Sequence, residues 1–397
     1  MKKRPLRVAV ATRIYRPEPA AATFRIGALV DTLAAHGDKV EVLTVRHSWY
    51  PPTDAQTPDN VTVSAWPVKR NQEGYVRGYL SYLSFDVPLF FRLLTTHRPN
   101  VVVVEPPPTT GLVTRVVCTL RQIPYVAYLP DLWADGTAAT DAPAFVKRTV
   151  RLLERFTLHG AAAVVASTPE IAQRAEDLHG ISPQQCWVVR NGIDTTTFNP
   201  DGPLIPDAPT GPYAIYAGTL SEWQGTEILI QAWATVITQV PDATLVFLGQ
   251  GHQEDEMATQ VAALPDGGAS VRMLHRVPAS EAAAWLRGAQ VALCTMVPNT
   301  GYDYFVPTKV FASAACGTPV LYIGPGPAAK MVTENQLGRA IAYQASAAAA
   351  AMAQMLTIPK AANEIQHRSQ WAQQNASLDR VGTQTAAIVE RVALADG

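Results

Sequence analysis

The sequence predicts an α/β protein made of two doubly wound, Rossmann-like parallel sheets. Three observations carry this. Short runs apolar on both faces, such as Val101–Val104 and Val291–Thr295, recur with helical patterns between them, as expected of strands covered by helices on both sides. The series breaks once, at residues 199–212 (NPDGPLIPDAPTGP), where five prolines and two glycines read as an interdomain linker. At 397 residues the chain is long enough for two domains of roughly 150–200 residues each.

The elements follow in order. Residues 6–11 read as a strand. A helix then runs through Phe24, Ile26, Leu29, Val30 and Leu33, stops at His36-Gly37, and leads into a strand at 40–45. Val101–Val104, Tyr125–Leu129 and 162–166 are further strands, with helical patterns at 112–120 and 146–158. Thr168-Pro169-Glu170 starts another helix, Thr168 as cap and Pro169 at its first position. Past the linker the pattern restarts with strands at Tyr213–Ala217, Thr244–Leu248, Val271–Leu274 and Val291–Thr295. Helices are expected at 227–237 and 282–286, and residues 366–392 read as helical. The resulting division is an N-terminal domain, 1–198, the linker, 199–212, and a second domain, 213–375. A C-terminal helix, 376–397, could pack back on the first domain. Ligands of such sheets lie outside the carboxyl ends of the strands.

Composition excludes several classes. Net charge is −1, hydrophobic content 48% and charged content 16%, which describes large cores and argues against disorder and against a nucleic-acid partner. Cys118, Cys186, Cys294 and Cys316 lie in apolar runs without metal-ligand spacing, so buried free thiols in a reducing compartment are expected and no metal site. MKKRPLRVAVATR is apolar for too few residues to be a signal peptide, and no 18-residue apolar run reads as a spanning helix. A cytoplasmic location follows, with the inner face of the plasma membrane as the alternative.

Residues 302–326, YDYFVPTKVFASAACGTPVLYIGPG, are the most informative stretch. Thr308 reads as a helix N-cap with Lys309 opening the helix, Gly317 as its C-terminal turn, and 319–323 as a buried strand. A helix N-terminus carrying a lysine in a sheet's crevice is an anion site, suited to a nucleotide diphosphate. Gly218-Thr219-Leu220 follows a strand where a phosphate-facing loop belongs, although Glu222 has the wrong charge there and Gln224 none. Gly249 and Gly251 flank Gln250 after another strand. They read as a tight turn or a ligand-facing loop, since the third glycine of a dinucleotide fingerprint is missing.

Six segments in register resemble a known family. They are YRPEPAAATFRIGALVDTLAAHGDKVEVLT (15–44), PDLWADG (130–136), VVRNGIDTTTF (188–198), YAGTLSEWQGTEILIQAW (216–233), LVFLGQGHQEDEM (245–257) and PTKVFASAACGTPVL (307–321). Their order and spacing are similar to those of retaining glycosyltransferases of family 4, with bacterial polysaccharide and lipid-linked-oligosaccharide transferases as the nearest subgroup. The resemblance implies a GT-B architecture, two domains facing across a cleft, and transfer of a sugar from a UDP- or GDP-linked donor without a cofactor. Where the family usually carries two glutamates, this chain has Tyr304 and Ala312. Its diphosphate-gripping Arg and Lys fall near Thr219 and Trp223-Gln224, Pro130 replaces a His, and Ala20-Ala21 replaces a glycine pair.

On this reading Lys309 and Asp131 are the catalytic candidates, Lys309 neutralising the leaving diphosphate and Asp131 orienting the acceptor or a sugar hydroxyl. The plain structural role for Asp131 is a cap before Trp133. Gly218, Thr219, Gly249, Gly251, Asp303, Tyr304 and Thr308 join Lys309 on the donor side. Arg16, Arg25 and Trp133 stand on the acceptor side, with Arg13 as a further source of charge; Arg25 also reads as a solvated helix position. Residues 75–97 place Tyr75, Tyr79, Tyr82 and Leu83 on one helical face between Arg77 and Arg92, which suits core packing, a membrane surface or a polyprenyl chain. Lys147, Arg148, Arg151 and Arg155 form a second basic patch facing lipid or water. The expected partners are a nucleotide sugar and a glycan or polyprenyl-linked acceptor, with a peripheral membrane contact. The alternatives are a non-catalytic glycan-binding or assembly subunit of the same fold, and a nucleotide-sugar epimerase or hydrolase.

Overall fold

The computed structural model describes residues 4–18, 20–46, 57–70, 76, 78–301 and 303–395. Tyr75, Arg77 and Tyr302 lie outside the described residues, as does the side chain of Tyr79. The chain divides into two compact units, 1–191 with 378–397, and 192–377.

The first unit holds a seven-stranded sheet in the order β3-β2-β1-β4-β5-β6-β7. Its strands are β1 (Arg7–Ala11), β2 (Lys39–Val45), β3 (Val61–Trp66), β4 (Val101–Val104), β5 (Tyr125–Leu129), β6 (Ala163–Ala166) and β7 (Cys186–Val188), and every neighbouring pair is parallel. The helices are α1 (Ala21–Ala35), α2 (Tyr79–Thr95), α3 (Pro108–Arg121), α4 (Trp133–Ala138), α5 (Ala144–Gly160) and α6 (Pro169–His179). Two sequence signals act as read. Thr168 Oγ1 accepts the amide of Ile171 at the start of α6, and α1 ends at His36 with Gly37 at φ +86°, a conformation that costs glycine little. Ile26, Leu29 and Leu33 of α1 pack on Val8, Val10, Val103 and Val126 in one core. β3 and β7, short and partly exposed, escaped the sequence reading because it sought fully apolar runs.

The second unit holds a six-stranded sheet in the order β10-β9-β8-β11-β12-β13, again parallel throughout. Its strands are β8 (Tyr213–Ala217), β9 (Thr244–Leu248), β10 (Val271–Leu274), β11 (Val291–Thr295), β12 (Val320–Ile323) and β13 (Gly338–Ile341). The helices are α7 (Glu227–Gln239), α8 (Glu254–Ala262), α9 (Ala279–Gly288), α10 (Thr308–Ala315), α11 (Pro327–Glu334), α12 (Ala345–Thr357) and α13 (Ala362–Ala376). One core, around Phe311, Tyr322, Trp285 and Trp371, fills one face of the sheet; Trp233, Phe247, Leu321 and Met352 fill the other.

The boundaries differ from those read in the sequence. Residues 199–212 belong to the second unit, where Arg287 donates to the carbonyls of Asn199 (3.2 Å) and Pro203 (3.0 Å) and Arg272 to Asp207 (2.7 Å). Prolines lack the N–H that a sheet would use, so arginines from elsewhere satisfy the carbonyls instead. The C-terminal helical stretch breaks at Ser377: α13 stays with the second unit, while α14 (Leu378–Ala395) packs along α1 in the first. Gly382 makes this approach possible, since a Cβ there would meet the Ala28 carbonyl at 2.5 Å.

Candidate functional site

In the second unit the sheet order reverses between β8 and β11, and the loops after β8, β9, β11 and β12 gather at the carboxyl edge there. Gly218 N donates to Leu248 O (3.0 Å) and Leu220 N to Gln250 O (3.1 Å), so the loop after β8 runs along the loop after β9. Gly249 and Gly251 permit this. A Cβ on Gly249 would lie 1.9 Å from Gly218 O, and one on Gly251 2.0 Å from Leu220 O. Both glycines are therefore accounted for by backbone approach between loops.

Lys309 opens onto this loop pair from the first turn of α10. Its Nζ donates to the Tyr216 hydroxyl (2.6 Å) and to Gln224 Oε1, and lies 3.9 Å from the centroid of the Tyr216 ring. Tyr216 in turn donates to Thr219 O (2.8 Å) and contacts Gln224 Oε1. A Cβ on Gly218 would fall 3.0 Å from Nζ. These hydrogen-bonding partners are neutral. Burial pulls the ammonium's pKa down to about 8, with Cys294 a small opposing influence. Thr308 is the first helical residue, not the cap: Pro307 holds that position and supplies no side-chain acceptor. The first-turn amides thus lack the side-chain partner that the sequence assigned them, which leaves the helix N-terminus available to an anion.

Asp303 has a structural task, accepting Asn299 N (3.0 Å) to close the loop ahead of α10, while its carbonyl packs where a Cβ on Gly326 would fall. Tyr304 is partly exposed in the same loop, and Thr219 is exposed at the tip of its own. Trp223 meets Phe305 edge-on, ring centroids 6.4 Å apart.

In the first unit the order reverses between β1 and β4. Glu105, just after β4, accepts Arg25 Nε (2.6 Å) and Thr12 Oγ1 (2.9 Å), and Arg25 also reaches Asn191 Oδ1 (3.4 Å) and lies over the Tyr128 ring. Arg25 is buried at 8% exposure, which rules out the solvated helix position. Arg16 is held by Asp31 through paired contacts, one of 2.8 Å. Arg13 is buried 4.2 Å over the Tyr82 ring, and desolvation lowers its pKa. Neither acceptor-side arginine is a free cation.

Asp131 follows β5 with Oδ1 buried and without a partner. Burial raises its pKa to about 6; Arg25 opposes the shift, and Glu154 and Glu105 add to it. Asp131 does not cap the turn before Trp133. Glu154 of α5 does so, accepting Trp133 N (2.7 Å), Ala134 N (3.2 Å) and His179 Nε2 (2.9 Å). Trp133 stacks edge-on against Tyr82 at 6.2 Å. A cavity of about 30 Å³ lined by Glu105, Tyr128, Trp133 and Glu154 has room for water but not for a sugar.

Sequence reasoning missed Glu105, Glu154 and Tyr216. A charge directly after VVVV was the visible sign of the first. Nothing local distinguished the other two.

Two family models match the chain: a glycosyl transferase 4-like domain over residues 21–192, and glycosyl transferases group 1 over residues 211–357. A D-inositol 3-phosphate glycosyltransferase of Frankia alni is 26% identical over 334 residues, covering 78% of this chain and 79% of the relative. Among solved structures, sucrose-phosphate synthase from Thermosynechococcus elongatus superposes with a TM-score of 0.76 at 18% identity, covering 98% of this chain and 100% of that one. Anabaena HepE in complex with UDP and glucose gives 0.71 at 16% identity, covering 97% and 100%. Between them the two family matches take in most of the chain, and with the two parallel-sheet units they show that it belongs to the family 4 glycosyltransferases of GT-B fold.

Proposed function

We propose that this glycosyltransferase moves a sugar from a UDP- or GDP-linked donor to a glycan or lipid-linked acceptor, with retention, in cell-surface polysaccharide or glycolipid synthesis. One observation carries the donor assignment: Lys309 offers a partly buried ammonium, hydrogen-bonded to neutral groups, at the first turn of an uncapped helix. A buried cation without a carboxylate is costly unless an anion arrives, and a sugar nucleotide's diphosphate fits that need. The complex of HepE with UDP and glucose supports the same class of ligand.

The reaction then balances without an added acid or base. The acceptor oxygen bonds to the anomeric carbon, whose bond to the diphosphate oxygen breaks with its electron pair. The acceptor proton passes to the leaving diphosphate. Lys309 and the α10 amides hold the charge that develops there. The second unit would bind the donor. Asp131, at the end of β5 with one buried oxygen unpartnered, would orient the acceptor or a sugar hydroxyl.

The acceptor class rests on the surface of the first unit. Leu80, Leu83, Val87, Phe91 and Leu94 form one exposed apolar stripe along α2, while Arg92 is buried and donates to Ser64. On α5, Phe145, Leu152 and Phe156 are exposed among Arg148, Arg151 and Arg155, and the only carboxylate of that helix, Glu154, is buried. Apolar residues interleaved with arginines suit an anionic bilayer face, and so favour a lipid-linked acceptor at a membrane surface. No helix among the described residues is long and apolar enough to cross a membrane.

Acceptor-dependent release of UDP or GDP, with the anomer of the product read by NMR, tests this reading. Release with retained configuration would support it; inversion, or donor hydrolysis with no glycoside formed, would contradict it. A non-catalytic reading draws on Ala312, buried within α10 at a position where a carboxylate is usual. Nucleotide binding without turnover on any lipid-linked acceptor would favour it.

A further inference from the structure

At the opposite edge of the second unit's sheet lies a cavity of about 500 Å³. It opens at the amino ends of β12 and β13, beside Pro319 and Gly338, between the end of α12 and the start of α13. The Lys309 site is at the carboxyl edge, so the two regions are separate.

Its lining is cationic: Arg339, Lys360 and Arg368, with His367 beside them and Glu364 as the one carboxylate. Arg368 is 3% exposed; its Nε donates to Gly317 O (2.9 Å), its Nη1 donates to Glu364 Oε2 (3.3 Å), and its Nη2 has no partner. Lys360 Nζ donates to Arg287 O (2.8 Å) and Ala289 O (2.7 Å), leaving a third N–H. Helix α13 begins here, and its cap residue, Ala361, supplies no side-chain acceptor. The helix N-terminus and the buried guanidinium, with its unpaired Nη2, make this wall electropositive and suited to an anion. The cavity exceeds what phosphate alone would fill and lies within the range of small-metabolite pockets. Thr333, Gln336 and Asn363 add hydroxyl and amide groups to its wall.

We propose that this cavity binds a small phosphomonoester, its phosphate among Arg339, Lys360, Arg368 and the α13 N-terminus, and its hydroxylated body against Thr333, Gln336 and Asn363. The site is independent of donor binding at Lys309.

Calorimetric titration of the full chain with inorganic phosphate and with glucose 6-phosphate, at constant ionic strength, tests it. Lys360→Gln and Arg339→Gln are preferred to changes at buried Arg368, and Lys309→Ala serves as the control. Glucose 6-phosphate should bind at least tenfold more tightly than phosphate, and Lys360→Gln should weaken it at least tenfold. Lys309→Ala should leave it unchanged. Equal affinity for the two probes would overturn the sugar-ester assignment. Binding lost in Lys309→Ala and kept in Lys360→Gln, or absent from folded wild-type protein, would overturn the site.

Discussion

Lys309 Nζ lies 2.6 Å from the hydroxyl of Tyr216 and 3.9 Å above the centroid of its ring. The ammonium is held by a π face and neutral oxygens rather than by a carboxylate, and burial pulls its pKa to about 8. Positioning and charge are thereby separated: Tyr216 and Gln224 orient the group, and its charge remains for a ligand.

A pH dependence follows. The folded-state pKa lies below the ordinary 10.5, so the charged form costs stability below pH 8, and that cost is relieved as pH rises from about 8 toward 10.5. Diphosphate binding needs the charged form. Affinity for UDP or GDP, measured by calorimetry, should be level between about pH 7 and 8, where the diphosphate is fully ionised, and then fall by up to about tenfold per unit. A flat profile to pH 9.5 would remove Lys309 from the site.

Asp131 carries the opposite shift. Its pKa rises from 3.8 to about 6, so stability is lost as pH rises through that window and stays lost above it. Asp131→Asn should stabilise the protein at pH 7 by as much as about 3 kcal/mol, and hardly at pH 4. Transfer should fall while nucleotide affinity holds. Urea melts at the two pH values, with nucleotide titration, check both parts.

Glu154 positions the turn after Asp131 by accepting the amides of Trp133 and Ala134, and is itself held by His179. Glu154→Gln should cost about 1–3 kcal/mol and raise the acceptor KM while leaving donor affinity unchanged. An unaltered KM would confine Glu154 to structure.

The α2 stripe yields a surface prediction. Leu83→Asp with Phe91→Asp should change stability by only about 0.5 kcal/mol, because both residues are exposed. Co-sedimentation with vesicles containing anionic lipid should drop severalfold. Undiminished binding would remove α2 from the membrane contact.

Most of the fold was legible because buried parallel strands are written as continuous apolar runs, and Val101–Val104, Tyr125–Leu129 and Thr244–Leu248 end where the sequence indicates. β13, with Gly338 and Arg339 in four residues, carries no such signal. The Ser377 break and the return of α14 to α1 depend on Gly382 meeting Ala28, a tertiary contact with no local trace. At the candidate site, the helix that carries Lys309 was legible because it follows a recognisable Pro-Thr-Lys start. The burial of Arg25 and its pairing with Glu105 were not, since on α1 it resembles a surface arginine until Glu105, from a strand end far along the chain, meets it. Thr308 misled for a local reason: Pro307 already holds the extended cap conformation, at φ −63° and ψ 135°, and moves the helix start one residue on.

The most direct measurement is calorimetric titration of UDP and GDP into wild-type protein and into Lys309→Ala at pH 7. One nucleotide should bind the wild type, and the substitution should weaken it by about 1.5–3 kcal/mol, with thermal stability in the free state equal or higher. Equal affinity in the two proteins would contradict the assignment of Lys309 to the diphosphate, and with it the donor site described.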